Sequence, residues 1–178
     1  MSSREYHYLV IVNGLIKYNN LYFTTCTIHK WQNLLEPDQN KDIILEALSY
    51  LSHNKRIVVY AFVILENHIH LIIEVIPPDI ISKIIHSKLS YSSKKLKKSL
   101  TQEELQSFAV AKSNKTYQFW KPKSLSVELY TKKFFVQKFN YVHKNVERAG
   151  LDPEKYKYSS YPSYLFGEPK FDFLTLWG

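Results

Sequence analysis

Cysteine is almost missing from this 178-residue chain: Cys26 is the only one. No intrachain disulfide can form, and no cysteine cluster can hold zinc. Any metal must sit on His, Asp, Glu or Asn. Arginine is scarce as well, with Arg4, Arg56 and Arg148 the only three among 24 basic residues. Positive charge is therefore carried by lysines, which attract phosphate but do little of the bidentate guanine reading that arginine forks perform. Long apolar runs are lacking; Ile57 to Leu65 is the longest and is about half of what a membrane-spanning helix needs. The opening Met1-Ser-Ser-Arg-Glu-Tyr6 does not have the shape of a signal peptide, so a cytoplasmic protein with no membrane partner is expected. Hydrophobic residues at 45% against 22% charged exclude a disordered or collagen-like chain.

The length fits one domain over residues 1–178, and no repeat or linker divides it. Its net charge of +8 is concentrated. Residues 81–148 hold 15 basic and 4 acidic groups, whereas residues 1–80 hold 6 and 8, and residues 149–178 hold 3 and 4. The middle third is thus the polyanion candidate, and contact with a nucleic-acid backbone should outweigh base reading. A run such as Lys94-Lys95-Leu96-Lys97-Lys98 is, taken alone, also what a solvated helix face looks like.

Periodicity gives a mixed fold. Leu21 to His29 reads as a strand with Tyr22, Thr24, Cys26 and Ile28 on one face, and Asn40 to Ser52 as a helix with a stripe of Ile43, Ile44, Ala47, Leu48 and Leu51. Strands at Arg56 to Leu65 and His68 to Ile76 flank a turn at Glu66-Asn67. A long helix follows with Asp79 as its expected N-cap, and residues 99–116 read as a helical insertion or mobile segment. A strand from Leu125 to Leu129 precedes a helix from Thr131, its cap, to Ala149, stopped by Gly150 and Pro153. The order β-α-β-β-α-β plus a last helix predicts an α+β, ferredoxin-like antiparallel sheet with helices on one face.

Two constellations carry chemistry. In Asn67-His68-Ile69-His70, alternation puts both imidazoles on one strand face, where they either share a divalent cation or are exposed histidines without a ligand. A His-x-His-x-His nucleotide-hydrolase motif is excluded because Ile72 stands at its third position. On the last helix Phe135, Phe139, Val142 and Val146 form the apolar stripe, and Tyr141 lies roughly 120° away from it, flanked by Gln137 and Asn145 at i±4. That leaves the hydroxyl accessible, although with 14 tyrosines in the chain spacing alone does not make Tyr141 catalytic.

Asn67-His68-Ile69-His70-Leu71-Ile72-Ile73 followed by Asn140-Tyr141-Val142-His143-Lys144-Asn145-Val146-Glu147-Arg148-Ala149-Gly150 resembles the single-tyrosine HUH transposases. More narrowly, it resembles those associated with repetitive extragenic palindromes in bacteria. Leu21-Tyr-Phe-Thr24, Lys41-Asp-Ile-Ile44, Tyr117-Gln-Phe-Trp120 and Tyr158-Ser-Ser-Tyr161 extend the likeness over residues 4 to 167. The resemblance implies that His68, His70 and Asn145 hold Mg²⁺ or Mn²⁺. It further implies that Tyr141 attacks a phosphorus of single-stranded DNA, leaving a 5′-phosphotyrosine and a free 3′-hydroxyl. A phenol, with a pKa near ~10, is a poor nucleophile until a cation steadies the developing charge.

The implied partner is single-stranded DNA carrying a hairpin, bound by a monomer or homodimer. Candidate DNA contacts are Lys83, Lys88, Lys94, Lys95, Lys97 and Lys98 on the long helix, Lys138, Lys144 and Arg148 on the tyrosine helix, and Arg4 in the N-terminal arm. Phe119 and Trp120 can stack bases, though core packing is their default reading. Three departures from the family bear on activity. Val146 replaces a proline, so the helix should continue unkinked and Asn145 point differently. Glu66 replaces a small residue, as an added ligand or a turn residue. Lys123-Ser124-Leu125-Ser126 stands where a His-Pro pair is common. A rival reading is a non-cutting hairpin-DNA binder derived from a transposase.

Overall fold

The structure, a computed structural model, describes residues 20–112 and 115–177. Arg4 and the N-terminal arm lie outside them. The elements run β1 (Leu21–Thr27), α1 (Asp38–His53), β2 (Ile57–Ile64), β3 (His68–Val75), α2 (Ile81–Ser99), α3 (Gln102–Gln106), β4 (Ala109–Lys112), β5 (Lys115–Tyr117), β6 (Leu125–Glu128), α4 (Lys132–Arg148) and α5 (Tyr161–Phe166). The main sheet has the order β2-β3-β1-β6 with every neighbour antiparallel. That is the expected ferredoxin-like arrangement, with β3 and β1 in the protected centre.

Strand alternation sorts side chains into two cores. Cys26, Ile28, Ile69, Leu71 and Ile73 face α1 and α2, whereas Leu21, Phe23 and Ile72 face α4. The first two helices share one face and the tyrosine helix takes the other. Strand β2 serves both through a bulge between Val59 and Ala61. The extra residue there turns Tyr60 and Ala61 together toward α4, while Val59 and Phe62 stay in the α1/α2 core. The outer edge of β2 is covered by the C-terminal segment, whose Tyr158, Ser160 and Thr175 exchange backbone hydrogen bonds with Ile64, Phe62 and Val59.

Helix α4 is bounded as its sequence dictates. The Thr131 hydroxyl accepts from the Phe134 amide at 3.2 Å, and Gly150 adopts φ 75°. Past the end, Gly150 N–H donates to Glu147 and Leu151 N–H to Val146, the Schellman pattern that needs a left-handed residue at that point. Phe135, Val142 and Val146 are fully buried, each contributing about 1.5–3 kcal/mol relative to exposure. With valine at 146 the helix runs unbroken to Arg148.

Two local expectations are corrected. Asp79 does not cap α2, whose N-cap is Ile80 without a side-chain bond; its carboxylate instead takes a two-pronged ion pair from Arg56, at 2.8 and 2.9 Å. Segment 99–116 contains more than a helix. Thr101 and Glu104 form a reciprocal capping box on α3, and the β4-β5 hairpin follows, anchored by buried Leu105 and Phe108. Among the described residues no helix is long and apolar enough to cross a membrane.

Candidate active site and nucleic-acid interface

The Leu65-to-His68 turn, closed by Leu65 N–H donating to the His68 carbonyl at 2.9 Å, starts β3 so that His68 and His70 face α4. Their rings are 4.8 Å apart. Phe23 stacks on His70 at 5.5 Å, and Tyr141 meets His70 edge-on at 5.1 Å and 73°. Trp31 closes the other end, 5.9 Å from His68. These rings, with Thr25, Thr27, Lys123, Leu125 and Lys138, line a cleft of 390 Å³.

Hydrogen bonds aim both imidazoles. Asn67 donates its amide to Asn33 Oδ1 at 3.0 Å, so its Oδ1 is free to accept, and His68 Nδ1 lies 2.8 Å from it. An amide oxygen only accepts, so Nδ1 carries the proton and Nε2 keeps its lone pair. His70 Nδ1 is paired with Thr25 Oγ1 at 2.8 Å, which leaves Nε2 for the cleft. Burial lowers the pKa of His68. His70 is pushed down to about 3, by burial first and then by the charges of His68, Lys138 and Arg148. Both rings are neutral at pH 7, the state a cation requires of an imidazole ligand, and each has its second nitrogen held by an outer partner.

The donor set therefore fits a divalent cation with two imidazole ligands and oxygens in its remaining positions. Among the described residues no group of three His, Cys, Asp or Glu could hold a metal. Asn145, expected as a third ligand, does not line the cleft. It is 7% exposed, and its amide donates to the Tyr141 carbonyl at 2.5 Å. Glu66 is an exposed turn residue whose Oε2 accepts from Asn33 at 3.1 Å. It anchors the Asn33-Asn67-His68 chain and stands outside the cleft.

Positive charge gathers around Tyr141, with Lys138 Nζ 5.5 Å and the Arg148 guanidinium 5.3 Å from its ring. Lys144 is exposed on α4 outside the cleft lining. On α2 the expectations divide. Lys83, Lys94, Lys97 and Lys98 are exposed, whereas Lys95 is tied to Glu46 at 3.3 Å. Lys88 is a correction: it is 2% exposed, with Nζ 3.4 Å from Cys26 Sγ, and cannot reach a phosphate. Its i, i+4 row of Ile84, Lys88, Ser92 and Leu96 is buried throughout, a pattern that was visible in the sequence. Phe119 and Trp120 are 4% and 5% exposed, and the Trp120 indole donates to Ser92; core packing is their role.

Sequence reasoning missed Trp31, Lys121 and Thr25. Thr25 is found only through the register that sets it opposite His70. Lys94, Lys97, Lys121 and Lys123 line a groove of 1080 Å³ between α2 and the chain approaching β6. Lys123 belongs to groove and cleft alike, so the two adjoin at that residue.

The sequence model of the family described as "Transposase IS200 like" matches residues 17–148. No curated protein matches the chain. Among solved structures, the chain is similar to a REP-associated tyrosine transposase bound to a REP hairpin, at TM-score 0.62 and 14% identity, covering 83% of this chain and 79% of that one. A putative transposase from Deinococcus radiodurans R1 aligns at TM-score 0.47 and 14% identity, over 68% and 87% of the two chains.

Proposed function

The chain is a member of the IS200-like transposase family, and from that premise we propose that it cuts and rejoins single-stranded DNA through Tyr141. The observation that carries this reading is the meeting of Tyr141 with His70, 5.1 Å between rings, in a cleft bordered by Lys123 and Lys138. His68 and His70 would hold Mg²⁺ or Mn²⁺ through their Nε2 atoms. When bound, the cation neutralises the phosphate and polarises its oxygens.

The remaining work belongs to the chain. Phe23 and Thr25 fix the His70 ring, and Asn67 fixes His68. Lys138 and Arg148 stabilise negative charge developing at the Tyr141 oxygen. That oxygen forms a bond to phosphorus while the P–O3′ bond breaks; the phenol proton passes to solvent, and the departing 3′-oxygen takes one up. The phosphotyrosine retains the energy of the broken phosphodiester, so strand transfer by the reverse reaction needs no ATP. Asn145 holds the Tyr141 carbonyl and thereby the turn of α4 that presents the nucleophile.

The groove lined by Lys94, Lys97, Lys121 and Lys123 is the proposed seat for hairpin phosphates, with the single strand passing over Lys123 into the adjoining cleft. The hairpin bound by the structurally similar REP-associated transposase supports this partner. A second reading, a binder that holds hairpin DNA without cutting, draws on Asn145 being turned away from the cleft. Incubating the protein and Tyr141→Phe with end-labelled single-stranded hairpin oligonucleotides in Mg²⁺ or Mn²⁺ separates the two. The cutting reading predicts a covalent adduct carrying the DNA 3′ of the break, absent with EDTA and with Tyr141→Phe. Salt-sensitive binding without any adduct would establish the binder.

A further inference from the structure

Trp31 is where a large aromatic ring is spent on solvent. It is 54% exposed, whereas the other two tryptophans, Trp120 and Trp177, are 5% and 8% exposed. Its backbone is unusual too. Lys30 and Trp31 take φ of 55° and 60° in succession, a left-handed pair that non-glycine residues adopt at a cost of roughly 1–2 kcal/mol each. Such a conformation persists only where its surroundings enforce it, and they do. Backbone bonds run from Ile28 to Asn67, from His29 to Phe119 and from Leu35 to Glu66, at 2.7–2.8 Å, while Gln32 exchanges side-chain bonds with Ser107. The turn is clamped from both sides and presents an indole at the mouth of the cleft. Lys121 Nζ stands 4.1 Å from the ring centroid, and Lys121 N–H is bonded to the Thr27 carbonyl.

The rings of Trp31, His68, His70 and Tyr141 follow one another at 5.9, 4.8 and 5.1 Å, with the histidines between indole and phenol. In phosphoryl transfer the attacking and leaving oxygens lie roughly in line across phosphorus. If phosphorus sits over the histidines and the attack comes from Tyr141, the 3′-oxygen departs toward Trp31.

We propose that Trp31 is a base-stacking platform for the nucleotide immediately 5′ of the break, the one that keeps the 3′-hydroxyl, with Lys121 contacting the phosphate beside it. The strand assignment rests on Tyr141 being the nucleophile, while the stacking itself does not. Held there, the 3′-hydroxyl stays beside the phosphotyrosine and is positioned for rejoining. Trp31 is a positioning residue in this scheme. Every base has a π-face, so a platform of this kind takes single-stranded nucleic acid with little sequence preference.

The test uses full-length protein, with Tyr141→Phe as the background so that no cutting intervenes. It is titrated with a single-stranded oligonucleotide, and with versions of it carrying one abasic site at each position in turn. Stacking on the single exposed indole predicts saturable quenching of tryptophan fluorescence, lost in Trp31→Phe. Trp31→Ala should bind the single strand about tenfold to a hundredfold more weakly and a blunt hairpin stem as before. An abasic site at the nucleotide 5′ of the break should cost the parent the same factor and the Trp31→Ala variant nothing further. Quenching that survives Trp31→Phe, or unchanged single-strand affinity in Trp31→Ala, overturns the platform. If the abasic site that matters lies 3′ of the break, the strand assignment falls. Should wild type form no adduct while quenching and its loss are as stated, the cutting reading fails and the platform stands.

Discussion

Tyr141 and His70 meet edge-on, 5.1 Å between ring centroids at 73°, although 71 positions separate them in the chain. The contact exists because β3 is central in the sheet and α4 lies across the face that carries Phe23, His70 and Ile72. A rigid strand supplies the imidazoles and a well-capped helix supplies the phenol. This is the arrangement that keeps reacting groups in register with little reorganisation.

The position of Asn145 makes a first prediction. Its amide is committed to the Tyr141 carbonyl, so Asn145→Ala should lose about 1 kcal/mol of stability and shift the metal concentration needed for half-maximal cutting by only a few-fold. His70→Ala should abolish the metal response. Titrating Mn²⁺ against adduct yield measures both. A tenfold or larger rise in the metal requirement of Asn145→Ala would show that the side chain swings in as a ligand.

Two lysines of the same helix should behave oppositely. Lys88 is buried against Cys26, and burying an amine head group carries a desolvation cost that an apolar side chain of similar volume avoids. Lys88→Met should therefore retain hairpin affinity and be at least as resistant to urea. Lys97, exposed in the groove, should behave as a phosphate contact. Lys97→Ala should weaken binding across sequences and lower the slope of log K against log salt by about 1.

Acid should unfold the protein through its buried histidines. His143 is fully buried, with Nε2 2.8 Å from Ser160 Oγ, and desolvation pushes its pKa down from 6.5 to about 3. Between those values the unfolded chain binds a proton that the folded chain refuses. Stability is thus intact above pH 6.5 and falls as pH falls toward 3, at about 1.4 kcal/mol per pH unit. His70, with the same direction, adds to the slope in metal-free protein. Urea unfolding in EDTA at pH 7.5, 6 and 5 reads this, and a flat profile would contradict the burial of neutral imidazoles.

These results mark what the sequence made legible. Helix α4 could be read to within a residue because its signals are local: the Thr131 cap, the Gly150 stop and a 3.6-residue stripe. The sheet order followed from the succession of elements, and the shared face of His68 and His70 from a period of two. Trp31 could not be read, because its role comes from a left-handed turn held by residues 67, 107 and 119, far away in sequence. The partnership of Thr25 with His70 depended on strand register, and the orientation of Asn145 on a bond to its own helix. Segment 99–116 looked mobile because it is polar, and its buried anchors Leu105 and Phe108 are isolated apolar residues in that polar run.

The most direct test of the central claim identifies the residue that carries the DNA. Adduct formed with a hairpin oligonucleotide in Mn²⁺ would be digested with protease and nuclease, and the nucleotide-bearing peptide sequenced by mass spectrometry. The structure predicts a single modified residue, Tyr141, and no modified peptide after EDTA. A nucleotide on any of the other 13 tyrosines, or no covalent species under conditions where the hairpin is bound, would contradict it.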